Sequence, residues 1–210
     1  VLFADVISRL DTAFQHDLPG AAAHERLAPR PRRQWPDASS AARIRHAAGL
    51  LIVFPIEEQA HIVLTVRGDS LGRHGGQVSL PGGVVEPGET VEHAALREAY
   101  EEVALPLEDV RVLGALTPLD IPVSGFRLHP IVAALDAQPS LTPSDGEVAR
   151  ILDVSIDELL DPSRFVSSER LRDGLPIVAP AFNVGGEEIW GATAMVLAEF
   201  LALLTDRQDA

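Results

Sequence analysis

The chain has 210 residues, 46% of them hydrophobic, and its 31 acidic residues against 17 basic ones give a formal net charge of −14. That length supports one sizeable core, and that charge argues against broad attraction to nucleic acid or an anionic membrane. The absence of cysteine excludes disulfides, thiolate metal sites and cysteine nucleophiles.

In chain order, Phe3, Val6, Ile7, Leu10 and Phe14 fall on one helical face with Asp5, Arg9 and Asp11 outside it. This predicts an amphipathic helix over residues 1–16 that must pack on its own domain or on a second subunit. The same charges interrupt any apolar leader, so no signal peptide is expected. Between Pro19 and Ser40 the composition turns to Pro, Ala, Arg and Ser, which reads as an irregular arm. The chain therefore divides into a helix and arm over 1–40 and a main domain over 41–210. Six arginines (Arg26, Arg30, Arg32, Arg33, Arg43 and Arg45) crowd the stretch around this boundary. Arginine suits bidentate phosphate contact, but with no lysine in the chain the inventory reads chiefly as genomic base composition.

The runs AGLLIVFPI and HIVLTVR, rich in β-branched residues and separated by EEQA, predict a hairpin. A glycine-rich stretch, HGGQVSLPGG, leads into PGGVVEPGET, whose Gly82, Gly83, Pro87 and Gly88 favour a tight turn before a helix. On that helix Glu98, Glu101 and Glu102 stand at spacings i, i+3 and i+4, within an arc of roughly 100°. Like charges so placed destabilise a helix by about 0.2–0.5 kcal/mol per pair, and Arg97 is expected to neutralise only one neighbour. A bound divalent cation is the economical explanation. Leu96, Ala99 and Val103 form an apolar stripe on the other side, leaving the acids to face a cleft.

Further strands are expected in RVLGALTPLD and FRLHPIVAAL, joined by a turn around Pro122 and Gly125. A short helix capped by Asp153 or Ser155 is expected in DVSIDELLD, and a closing helix in WGATAMVLAEFLALL. That last run holds Glu199 and falls short of the ~20 residues that cross a bilayer. A soluble cytoplasmic protein of layered α/β architecture is the expectation. P-loop, dinucleotide-fold, serine-hydrolase and HExxH zinc motifs are all absent.

Gly83, then Glu89 after five residues, then Arg97-Glu98 after seven, Ala99, one residue and Glu101-Glu102 resemble the Nudix box, the signature of the Nudix hydrolases. Ala104 and Leu105 stand where that pattern ends in Gly and an aliphatic residue, so a helix exit of altered shape is expected. The resemblance implies a Nudix fold, a mixed β-sheet sandwiched between helices, from about residue 47 onward. It also implies that Glu89 and Arg97 interact as scaffold. Residues 63–83 resemble the additional motif of the coenzyme A pyrophosphatase branch through Leu64-Thr65, Arg67, Gly76 and Pro81-Gly82-Gly83. Gly68, Gly72 and Leu80 depart from it, and Arg73 stands one position late for the arginine missing at Gly72. Read without the family, the stretch is a glycine-rich hairpin whose backbone N–H groups are available to phosphate oxygens. VSGFRLHPIVAAL and EIWGATAMVLAEFL also resemble that branch.

The expected substrate-binding residues are Arg67, Arg73, His74, Gly76, Gly82 and Gly83. Glu98, Glu101 and Glu102 are expected to hold Mg²⁺ or Mn²⁺, since hard oxygen donors suit these ions. The resemblance implies a small-molecule nucleotide substrate and hydrolysis of a diphosphate linkage. Coenzyme A or acyl-CoA would yield adenosine bisphosphate and phosphopantetheine. Glu98 or Glu101 is expected as general base, with Glu147 a third candidate. By its residue type alone Glu147 reads as an exposed acid complementing a helix dipole, whereas many Nudix enzymes hold a further catalytic or metal-facing acid there. Alternatives are a pyrophosphatase for ADP-ribose or dinucleotides and a non-catalytic nucleotide sensor. Related enzymes are often dimers, which adds a homodimer to the expectations by analogy.

Overall fold

The computed structural model describes residues 1–33, 44–68 and 76–205. A mixed sheet is built on β1 (Arg45–Ile56), which pairs antiparallel with β2 (Gln59–Arg67) and β4 (Gly82–Val84) along one edge and parallel with β7 (Phe126–Ala134) along the other. β3 (Val78–Ser79) and β8 (Val148–Ser155) join β2, while β5 (Arg111–Ala115) and β6 (Leu119–Ile121) join β7. Alternation along β1 separates two cores, because successive side chains point to opposite faces. Leu50, Ile52 and Phe54 pack with Ala94, Ala95, Ala99 and Val103 of the box helix α3 (Val91–Val103). Leu51 and Val53 pack instead with α1 (Phe3–Ala13) and the closing helix α5 (Gly191–Leu204). The sheet thus lies between helices, as the Nudix resemblance implies.

The N-terminal helix buries Val6 and Leu10 in this second core, against the chain's own sheet. Three features depart from the sequence reading. A short helix α2 (Ala21–Glu25) forms inside the stretch expected to be irregular, because Gly20 at φ +56° starts an alanine run of high helix propensity. Asp153 belongs to β8, so Ser155 alone caps α4 (Ile156–Leu160), accepting from the Asp157 N–H at 3.2 Å. Finally β9 (Phe165–Arg172), β10 (Leu175–Val184) and β11 (Glu187–Trp190) form a second antiparallel sheet. Its turns are Asp173-Gly174 and Gly185-Gly186, all at positive φ as two-residue hairpins demand.

Candidate active site

The box loop is locked by short-range chemistry before α3 begins. The Glu89 N–H donates to the Glu86 carbonyl at 3.1 Å around the Pro87-Gly88 turn, and the Glu89 carboxylate accepts from the Glu86 N–H at 3.1 Å. Thr90 then caps α3, its hydroxyl accepting from the His93 N–H at 3.2 Å. Upstream, Gly82 lies where the backbone leaves no room for a side chain, and Gly83 where one fits only if the Glu98 carboxylate moves. A Cβ on Gly82 would approach the Ala48 carbonyl oxygen to 2.3 Å, and one on Gly83 would lie 2.4 Å from the Glu98 carboxylate. The missing Cβ atoms let β4 and the acidic helix face meet.

Arg97 holds this junction together. Its Nε and Nη2 donate to the two Glu89 oxygens at 2.9 and 3.1 Å, and Nη2 also reaches the Val84 carbonyl at 3.1 Å. Nη1 donates to Glu98 at 2.9 Å and Glu101 at 3.1 Å. The Glu89–Arg97 scaffold expected from the resemblance is therefore present. The expectation that Arg97 serves a single neighbour is corrected: its planar fork, carrying five N–H donors, reaches three carboxylates at once. Hydrogen bonding to Glu89, followed by that to Glu98, outweighs burial and holds the guanidinium firmly charged. In return Arg97, chiefly by hydrogen bonding, holds the Glu89 carboxyl below the usual range.

The three box acids do not share one environment. Glu101 is largely exposed and lies outside the cleft lining, whereas Glu98 lines the cleft. Glu102 is 7% exposed and accepts from the Gly82 N–H at 3.1 Å. Burial pushes its pKa up to about 7; the Gly82 hydrogen bond opposes that rise, and Glu147 and Glu98 add to it. Burial likewise raises Glu98, with Arg97 opposing and Glu101 and Glu147 adding. The acidic face thus splits into a buried, a cleft-lining and a solvent-facing carboxylate.

Glu147 faces the same cleft, of about 580 Å³, together with Arg67, Gly82, Gly83, Glu86 and Phe126. Its position is set by the Gly68 N–H, which donates to the Glu147 carbonyl at 2.8 Å and ties the end of β2 to this loop. Gly76 lies at the base of the β2–β3 hairpin, where its N–H donates to the Arg67 carbonyl at 2.9 Å, and is not brought into the cleft. Arg73 and His74 lie outside the described residues. Glu86 and Phe126 are cleft residues that the motif reading missed. Phe126 lay at the start of an expected strand within VSGFRLHPIVAAL, where nothing but its being an aromatic directly after a turn glycine pointed to a cleft residue.

The donor chemistry fits a divalent cation. Every acid at the site is a hard oxygen donor, and the buried Glu102, the half-buried Glu98 and the exposed Glu147 repel one another, which added positive charge would relieve. Among the described residues, no three carboxylate or imidazole groups are gathered so as to hold an ion as they stand. Arg97 already engages Glu98 and Glu101, so ion binding would draw carboxylate oxygens away from it.

A family model described as NUDIX domain matches residues 45–173. Similar proteins include one from Pectobacterium atrosepticum named Uncharacterized Nudix hydrolase NudL, 32% identical over 177 residues that span 83% of this chain and 91% of that one. A protein of the same name from Yersinia enterocolitica is 35% identical over 165 residues, 78% of this chain and 84% of the other. Among solved structures, a MutT/nudix family protein from Enterococcus faecalis superposes with a TM-score of 0.51 at 15% identity, over 81% of this chain and 64% of that one. That last likeness is one of fold alone.

Proposed function

The chain belongs to the Nudix hydrolase family, and from that premise we propose that it hydrolyses the diphosphate linkage of coenzyme A or an acyl-CoA, releasing adenosine bisphosphate and a phosphopantetheine. The observation that carries the reaction class is the cleft in which Glu98, Glu147 and Arg67 line one space beside the buried Glu102. The coenzyme A reading is supported by the resemblance over residues 63–83 and by the box segment running into Ala104-Leu105-Pro106.

Nudix hydrolases generally depend on a divalent metal. Here Glu98 and Glu102, with Glu101 released from Arg97, would hold Mg²⁺ or Mn²⁺, which supplies neutralisation of phosphate oxygens and a lowered pKa for water. Arg67 orients the diphosphate from the end of β2. Glu98 or Glu147 accepts the proton of the attacking water, since both line the cleft and Glu101 does not. A new P–O bond forms from that water, the bridging P–O bond breaks, and the departing phosphate carries the electron pair. Arg97 holds Glu98 and the box loop in register, and such positioning with charge stabilisation accounts for most of the acceleration in phosphoryl transfer.

Mass-spectrometric product analysis with Mg²⁺ across coenzyme A, ADP-ribose, NADH and nucleoside triphosphates tests this. Adenosine bisphosphate and phosphopantetheine as the fastest-formed products are expected. A faster reaction on ADP-ribose or NADH would overturn the substrate and keep the reaction class, and no turnover on any of them would overturn both.

A further inference from the structure

The cleft lining is chemically mixed. Arg67, Glu86, Glu98 and Glu147 carry charge, while Ala47, Val84, Val85, Pro87 and Phe126 supply apolar surface. Phe126 is the only aromatic side chain among the described residues lining it, and it is half-buried at the first position of β7. Its ring is held rather than loose. The Arg45 guanidinium stacks over it with Cζ 4.0 Å from the ring centroid, while Arg45 donates from Nη2 to the Ser124 carbonyl at 3.2 Å and from its backbone N–H to the Gly125 carbonyl at 3.1 Å. A guanidinium over a phenyl ring is a flat, cationic stacking surface.

Topology fixes how far this surface stands from the box loop. Val84 pairs with Ala47 on one edge of β1, and Phe126 pairs with Arg45 on the other. Two strand spacings, roughly 10 Å, therefore separate the β4 and β7 backbones. That distance is comparable to the reach of a ribose and its base from a diphosphate seated beside β4, where Gly83 meets the Glu98 carboxylate.

We infer that Phe126, backed by Arg45, is the base-binding residue of this cleft: a planar nucleobase stacks there while the diphosphate lies beside the carboxylates. The inference deepens the proposed function and rests on the same cleft, but it concerns binding and not turnover. Arg45, stacked on Phe126, adds a second cation to that of Arg67, and so favours the nucleotide end of the substrate over an uncharged arm.

Calorimetric titration of the full chain with Mg²⁺ tests the inference with two non-hydrolysable probes, α,β-methylene-ADP and methylenediphosphonate, which differ in carrying a nucleoside. Base stacking on an aromatic side chain is worth about fivefold in affinity at the modest end of its range. The wild type is expected to bind the nucleotide at least about fivefold more tightly than the baseless probe, and Phe126→Leu to lose that preference while leaving methylenediphosphonate affinity unchanged. Phe126→Tyr restores the preference, which a merely structural role would not predict. Equal weakening of both probes by Phe126→Leu, no change in either, or a wild type without preference would overturn the subsite. If the preference holds while no diphosphate is turned over with Mg²⁺, the proposed reaction falls and the subsite stands.

Discussion

Glu102, a proposed metal ligand, also bears on stability through its burial. Its carboxyl ordinarily titrates near 4.5 and is pushed to about 7 by burial, so the folded state holds its proton more tightly than the unfolded chain does. The stabilisation from that proton is complete below pH 4.5 and is lost as the pH rises through about 7. Metal-free wild type should therefore lose on the order of 1–3 kcal/mol relative to Glu102→Gln between pH 5 and pH 8, and chemical denaturation at the two values measures it. A gap independent of pH would contradict the burial argument. Gly83 gives a second test at this scale. The atoms nearest its added Cβ are those of the Glu98 carboxylate, the far end of a flexible side chain, so Gly83→Ala should keep the melting temperature within a few degrees yet cut turnover by at least about tenfold if Glu98 acts as proposed. A variant that turns over normally would show that the placement of Glu98 beside Gly83 does not matter.

The box helix illustrates which local rules the sequence carried and which it hid. Its start was legible, because Thr90 and the Pro87-Gly88 turn announce an N-terminus by side-chain chemistry alone. Its exit was not. Replacing the usual Gly by Ala104 led us to expect a different shape, yet Ala104 adopts the left-handed conformation at φ +53°, ψ +41°, and its N–H donates to Tyr100 at 3.0 Å. Packing overrides the residue's preference here: Leu105 is fully buried directly after it, and the Val103 carbonyl accepts from Thr142 at 2.9 Å. The override has a cost of about 1 kcal/mol for a non-glycine residue in this region. Ala104→Gly should raise the unfolding free energy by about 0.5–1 kcal/mol without changing turnover, as urea denaturation would show. A destabilised variant would mean the helix exit is not strained. The second sheet was missed for a different reason. FVSSERLR has polar residues on both faces and little apolar alternation, so the hairpin signal lay in Asp173-Gly174 and not in the strand beside it.

At the scale of the whole molecule, one buried carboxylate joins segments far apart in sequence. Glu199 on α5 is fully buried and accepts from the Gly20 N–H at 3.0 Å, His24 Nε2 at 2.9 Å, the Thr117 N–H at 3.1 Å and the Thr117 hydroxyl at 2.6 Å. Burial raises its pKa, but the bonds from His24 and Thr117 together outweigh that, so the carboxyl lies below its usual range. Its stabilisation is therefore present above pH 4.5 and lost as the pH falls through the lowered value. Glu199→Gln, which turns one acceptor into a donor among donors, should cost about 2–3 kcal/mol at neutral pH and progressively less in acid. Equal destabilisation at pH 3 and pH 7 would contradict this account. In the sequence Glu199 was legible only as a charge interrupting an apolar run. Its partners lie on α2 and before β6, and no local pattern shows that the fold brings them together. The box motif, by contrast, was legible because its residues sit within twenty consecutive positions, although the reach of Arg97 to three carboxylates and the exposure of Glu101 were not. The central claim is that the cleft acids hold a divalent ion that hydrolysis requires. Calorimetry of Mg²⁺ or Mn²⁺ binding to wild type and to Glu98→Gln/Glu102→Gln, with α,β-methylene-ADP present, tests it most directly. Saturable binding to the wild type that the double variant loses is predicted, whereas no binding to the wild type, or undiminished binding to the variant, would contradict it.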